Sequence, residues 1–223
     1  MTKLDTKIVL NRPAEKPVAA VILLHGMGAD YNDFVPLVAE LKLPISVKFV
    51  FPNASVIPVT INNGLKMRAW YDILDFGDLH REVDTRGVLQ NVAKINCLIE
   101  ELIAEGFKPE QIIMAGFSQG GVIAYYTALA SEHDLAGLLV MSSYLPDISL
   151  LDVVKIQHKN FLPILVCHGT QDQIVNIAYG RRAVQHLQAF GVKYQWLEYP
   201  MQHSVCATQV KDISKWITQI FVK

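Results

Sequence analysis

Gly116-Phe117-Ser118-Gln119-Gly120 has the G-x-S-x-G spacing of a nucleophile elbow, and the flanking residues give the context such an elbow needs. The apolar run Ile112-Ile113-Met114-Ala115 reads as a strand, and Gly121-Val122-Ile123-Ala124 opens a helix. Strand, sharp turn and helix would hold Ser118 in a strained backbone conformation beside the positive end of a helix dipole. The plainer alternative is a glycine-rich helix start with Ser118 as its N-cap.

A serine hydroxyl is a weak nucleophile until a histidine can take its proton. Of the seven histidines, only His203 follows the last expected strand, in a turn before the final helix. His25 and His168 each precede a glycine at a strand end, and His80, His133, His158 and His186 lie in or beside polar or helical stretches. The acid that orients the histidine is expected between nucleophile and base in chain order. Asp172 meets this in His168-Gly169-Thr170-Gln171-Asp172, whereas Asp152 precedes the relevant strand and Asp212 follows the histidine. The competing view of Asp172 is a turn or helix-capping carboxylate.

Acyl transfer also needs two donors for a developing oxyanion. The backbone N–H of Gln119, next to the nucleophile, supplies one. His25-Gly26-Met27-Gly28, after the run Val21–Leu24, offers the Met27 N–H as the other. Alone, that stretch would read as an ordinary glycine-rich turn.

These residues must be carried by a scaffold, and short β-branched runs alternate with amphipathic stretches along the chain. The pattern predicts an α/β fold with a mostly parallel central sheet and helices on both faces. Strands are expected at Val18–Leu24, Val47–Phe51, Gln111–Ala115, Ala136–Met141, Ile164–Cys167 and Lys193–Glu198. Helices are expected at Asp33–Leu41, Asp84–Glu105, Ser118–Ser131, Ile177–Phe190 and Val205–Phe221. Residues 52–83, with Pro58, Asn62, Asn63, Gly64 and Gly77, show no sustained period and read as a substrate-covering loop.

The bulk properties fit one domain over residues 1–223. Half of the residues (51%) are apolar, enough for a large core, and the net charge of −1 provides no basic surface for nucleic acid. Cys97, Cys167 and Cys206 are an odd, unclustered set among apolar neighbours, so buried, inert, reduced thiols are expected. No apolar run approaches a membrane span, and Met1–Lys7 lacks a signal-peptide core. A cytoplasmic protein is the expectation.

Taken together, the motifs resemble those of the carboxylesterase/acyl-protein thioesterase (lysophospholipase-like) family of α/β-hydrolases. The matching pieces are Leu24-His25-Gly26-Met27-Gly28-Ala29-Asp30, Phe51-Pro52-Asn53-Ala54, Met67-Arg68-Ala69-Trp70-Tyr71-Asp72, Ala115 through Gly121, His168 through Asp172, and Met201-Gln202-His203-Ser204-Val205. They follow in order over nearly the whole chain. The resemblance implies an α/β-hydrolase fold and hydrolysis of small acyl esters or thioesters, including acylated protein or lysophospholipid. It implies the triad Ser118, Asp172 and His203 with no metal or organic cofactor, and it is compatible with a homodimer. It further implies that Trp70, Ile73, Tyr144, Ile174 and Tyr179 wall an acyl groove. Asn176 and Tyr144 depart from the family pattern, which has proline and tryptophan there.

Two rival functions use the same letters: a peptidase or amidase with this triad, and a non-catalytic binding protein on the same fold. The second normally lacks a triad member, and here all three stand in order.

Overall fold

Strands that are apolar on both faces are the signature of a sheet buried between two helix layers, and the chain folds accordingly. In the computed structural model, residues 3–77, 80–151, 156 and 158–222 are described. Asp152, weighed above as an acid, lies outside them, as do Met1 and Thr2.

Seven strands form the central sheet: β1 (Thr6–Leu10), β2 (Ala19–Leu24), β3 (Val47–Pro52), β8 (Ile112–Phe117), β9 (Gly137–Met141), β10 (Ile164–Gly169) and β11 (Gln195–Tyr199). Their order is β1-β3-β2-β8-β9-β10-β11, so β8 sits at the centre. Every pairing is parallel except that of β1 with β3. Helices among the described residues include α1 (Leu37–Glu40), α2 (Thr85–Ala104), α3 (Gln119–Ala130), α4 (Ile177–Ala189) and α5 (Ala207–Phe221).

The two-residue period of a strand divides the core. Ala20, Ile22 and Leu24 of β2 join Ile112 and Met114 of β8 on one face, with the apolar stripes of α2, α3 and α4. Ala19, Val21 and Leu23 join Ile113, Ala115 and Phe117 on the other, packed with Val38 of α1 and Ile213, Trp216 and Ile217 of α5. Each strand therefore buries both sides, which is why its sequence shows no polar alternation.

The expected strands and four of the five helices are present within a few residues. The expected helix Asp33–Leu41 is not. A 3-10 turn at Tyr31–Asp33, capped by Asp30, is followed by the single turn of α1. Pro36 lacks the N–H a continuous helix would use, and its ring obstructs the preceding turn. Residues 52–83 also differ from a structureless loop. They form two antiparallel hairpins, β4 (Val56–Val59) with β5 (Leu65–Arg68), and β6 (Ile73–Gly77) with β7 (His80–Val83). Asn63 and Gly64, with φ of 54° and 74°, make the first turn.

The cysteine expectation needs correction too. Cys167 is buried, but Cys206 is half-buried and Cys97 is exposed. Cys97 has apolar neighbours in sequence, yet the helical period turns Ile95, Leu98 and Ile99 of α2 inward and Cys97 outward.

Candidate active site

The carboxyl ends of β8, β10 and β11 converge on one side of the sheet, where parallel α/β folds place their sites. Ser118 joins β8 to α3 with φ of 52° and ψ of −120°, a conformation that costs a non-glycine residue of the order of 1–3 kcal/mol. Its N–H donates to the Met141 carbonyl (2.9 Å), and its carbonyl accepts from Ser143 Oγ (2.6 Å). Gly120 must be glycine: a Cβ there would stand 2.5 Å from the Leu24 carbonyl oxygen and 2.6 Å from that of His25. That contact presses the elbow against the loop after β2. The Gly26 backbone comes near enough that a Cβ on it would lie 3.4 Å from Ser118 Cβ.

His203 Nδ1 donates to Asp172 Oδ2 at 2.7 Å, and the His203 ring packs 4.7 Å from that of Phe117, the residue before Ser118. The other carboxylate oxygen, Oδ1, accepts from the N–H groups of Ile174 (2.9 Å) and Val175 (2.8 Å). Burial opposes ionisation of Asp172, but the His203 hydrogen bond and these two N–H groups outweigh it. The carboxyl is held below its ordinary value. The acid is therefore ionised and fully engaged, so the N–H it accepts fixes His203 in the tautomer that leaves Nε2 free to act as base.

Met27 follows the close approach at Gly26, and Gln119 is the first residue of α3, so its N–H has no carbonyl four residues back within the helix. The loop bearing Met27 is pinned from two sides. Gly28 N–H donates to the Arg68 carbonyl of β5 (2.8 Å), and Trp70 Nε1 donates to the His25 carbonyl (2.9 Å).

Of the five apolar positions expected to wall a groove, the structure brings Tyr144 and Tyr179 together, with ring centroids 6.1 Å apart. They line a cavity of about 160 Å³ with Arg81, Leu145 and His186. Trp70 and Ile73 are buried in the core, Trp70 against the His25 ring, and Ile174 is 64% exposed. A cavity of about 610 Å³ lined by Ala136, Pro163 and Trp216 lies at the amino ends of β9 and β10, across the sheet from Ser118.

Several side chains that shape the site carry no signature in the sequence. Gln119 Oε1 accepts from Trp70 N–H (2.8 Å), and Nε2 donates to the Tyr71 carbonyl (2.7 Å), tying the elbow to residues 70–71. His25 donates from Nδ1 to the Gly26 carbonyl (2.7 Å) and accepts at Nε2 from Ala54 N–H (3.0 Å), a pattern open only to neutral imidazole. Burial, the leading effect, lowers its basicity accordingly. His168 is wholly buried and donates from Nε2 to the Val175 carbonyl (2.7 Å). Only side chains aimed at partners distant in sequence reveal these roles, and no motif spacing encodes that aim.

Comparison with known proteins identifies the family. The phospholipase/carboxylesterase family model matches residues 6–221. Acyl-protein thioesterase 1 of Mycosarcoma maydis is 31% identical over 236 residues, covering 99% of this chain and 98% of that protein. The counterpart of the same name in Emericella nidulans is 32% identical, covering 92% of each. Among solved structures, Arabidopsis thaliana SOBER1 superposes with a TM-score of 0.83 at 30% identity, covering 91% of this chain and 98% of that one. Zea mays acyl-protein thioesterase 2 gives the same score at 25% identity, over 97% and 98%. The chain belongs to the phospholipase/carboxylesterase family of α/β-hydrolases.

Proposed function

We propose that this protein hydrolyses carboxylic esters and thioesters through an acyl-enzyme on Ser118. The observation that carries the reading is the strained Ser118 elbow at the centre of the sheet, with the His203–Asp172 pair packed against the residue preceding it. His203 Nε2 accepts the Ser118 proton as Oγ attacks the acyl carbonyl, forming a tetrahedral adduct. The Met27 and Gln119 N–H groups receive the oxyanion, a contribution of about 10²–10³ in rate per donor. The adduct collapses as His203 gives its proton to the departing alcohol or thiol. Water, deprotonated by His203, then attacks the acyl-enzyme, and Ser118 recovers its proton as the acid leaves.

The names of the relatives favour acyl groups carried on protein, and the family name favours lipid esters. No described helix is long and apolar enough to cross a membrane. An odd number of cysteines without disulfide-like spacing supports a cytoplasmic setting.

Turnover of p-nitrophenyl esters from acetate to palmitate, and of a palmitoyl thioester, by wild type and Ser118→Ala is the test. The substitution should reduce turnover to background for every substrate, and the chain-length optimum should size the acyl site. Equal rates in the two proteins would overturn the assignment of Ser118.

A further inference from the structure

We propose that Arg81, from the β6–β7 hairpin, is a positioning residue that holds the Ile174–Val175 peptide against Asp172 and so couples the hairpin to the triad. The inference rests on the triad reading above. Arg81 is 7% exposed, and its Nη2 donates to the Ile174 carbonyl. The nitrogen of that same peptide unit, the Val175 N–H, donates to Asp172 Oδ1 (2.8 Å). A peptide unit is planar and trans, so its C=O and N–H point in opposite directions along one rigid body. Fixing the carbonyl with Arg81 aims the N–H at the carboxylate. The guanidinium charge also polarises the peptide, strengthening its N–H as a donor. The next peptide is held similarly, since the Val175 carbonyl accepts from His168 Nε2.

Arg81 is itself fixed by flat surfaces. Its guanidinium lies 4.7 Å from the centroid of Tyr144 and 5.2 Å from that of Tyr179. Tyr144 follows Ser143, whose hydroxyl holds the Ser118 carbonyl. One guanidinium thus touches the segment behind the acid and the segment beside the nucleophile, while sitting on an element outside the central sheet. A planar cation with several donors can bond a carbonyl and stack on two rings at once; an ammonium cannot.

The charged and titratable groups around the His203–Asp172 pair come from four elements. β10 and its loop bring His168 and Asp172, β11 brings Glu198 opposite His168, the end of β8 brings Ser118, and β7 brings Arg81. Removing Arg81 weakens the Val175 N–H donation that helps to hold the Asp172 carboxyl below its ordinary value, so that carboxyl takes up its proton at higher pH.

The experiment measures kcat, KM and the pH profile of kcat/KM for p-nitrophenyl butyrate in wild type, Arg81→Met and Arg81→Lys, with Ser118→Ala as control. In Arg81→Met, kcat should fall roughly tenfold with KM held within about twofold, and the acid limb should move to higher pH. Arg81→Lys, which keeps the charge and one donor, should recover part of kcat and return the limb toward wild type. Wild-type kcat and limb in Arg81→Met would overturn the proposal. So would a lower kcat with an unmoved limb that Arg81→Lys fails to improve, the behaviour of a merely structural residue. If Arg81→Met does not fold, Arg81→Gln, with a donor but no charge, should still raise the limb, and a wild-type limb there overturns the proposal. If Ser118→Ala retains turnover, the triad falls and the Arg81 role with it. Wild-type behaviour of Arg81→Met in an enzyme that needs Ser118 removes the Arg81 role alone.

Discussion

Replacing Gly169 with alanine should separate the acid from the histidine without touching either. Gly169 ends β10, three residues before Asp172, and a Cβ built on it would stand 2.3 Å from the Met201 carbonyl oxygen and 2.5 Å from that of Gln202. Real Cβ contacts essentially never fall below 3.0 Å, so the nearer backbone must retreat by about 0.7 Å. The obstacle is main chain, which has no rotamer to change, and the retreating segment leads directly into His203. Two hydrogen bonds that zip the segments together, Thr170 N–H to the Tyr199 carbonyl (2.8 Å) and Gln171 N–H to the Met201 carbonyl (3.0 Å), limit any other route of relaxation. Passed on to His203, such a retreat would stretch its 2.7 Å bond to Asp172 toward the limit of a hydrogen bond. Misplacement of about 1 Å at a catalytic group costs of the order of 10² in rate, and overpacking costs about 1–3 kcal/mol of stability. The assay is kcat/KM for p-nitrophenyl butyrate beside thermal unfolding by circular dichroism. A folded Gly169→Ala protein with kcat/KM within about threefold of wild type would refute the argument that this contact sets the His203–Asp172 distance.

Two further outcomes follow from groups near the site. Gln119→Ala leaves the buried N–H of Trp70 and carbonyl of Tyr71 without their side-chain partner, and urea denaturation should show a loss of about 2–4 kcal/mol. A loss below about 0.5 kcal/mol would mean that water replaces the amide. His25 and His168 both have basicity lowered in the folded chain, chiefly by burial. The unfolded chain therefore binds more protons once pH falls through the ordinary histidine range near ~6.5, and stability should decline below it and level off above. Urea midpoints from about pH 5 to 8 measure this, and a midpoint that rises on acidification would contradict the sign.

The elbow at Ser118 and the Asp172–His203 pair were legible because their constraints are local and directional. An elbow needs glycines around Ser118, and the acid and base follow successive strands, so chain order alone selects Asp172 and His203. The core strands were legible because β2 and β8 bury both faces and carry no polar residue to confuse the pattern. Residues 52–83 were harder to read. Their strands are only four or five residues long, and β4 and β5 keep Val56 and Leu65 exposed, so no alternation builds up. Asn63-Gly64 was the available hairpin signal, diluted by the other turn-forming residues around it. The expected groove fared differently because apolar identity does not say which way a ring faces. Trp70 is buried with its indole N–H on the His25 carbonyl, whereas Ile174 is exposed. Arg81 carries no motif or spacing that singles it out; the fold buries it beside two tyrosines.

The order of the sheet leaves the site unevenly braced. Ser118 leaves β8, which is flanked by β2 and β9, whereas His203 follows β11, an edge strand whose sheet partner among the described residues is β10. Free energies of local opening are lowest where a segment has fewest neighbours to lose. Transient fraying at that border would carry His203 away from Ser118 while the centre stays folded. The enzyme's working lifetime is then set by the resilience of one margin, and tightening the β10–β11 seam would lengthen it without altering a single reacting group.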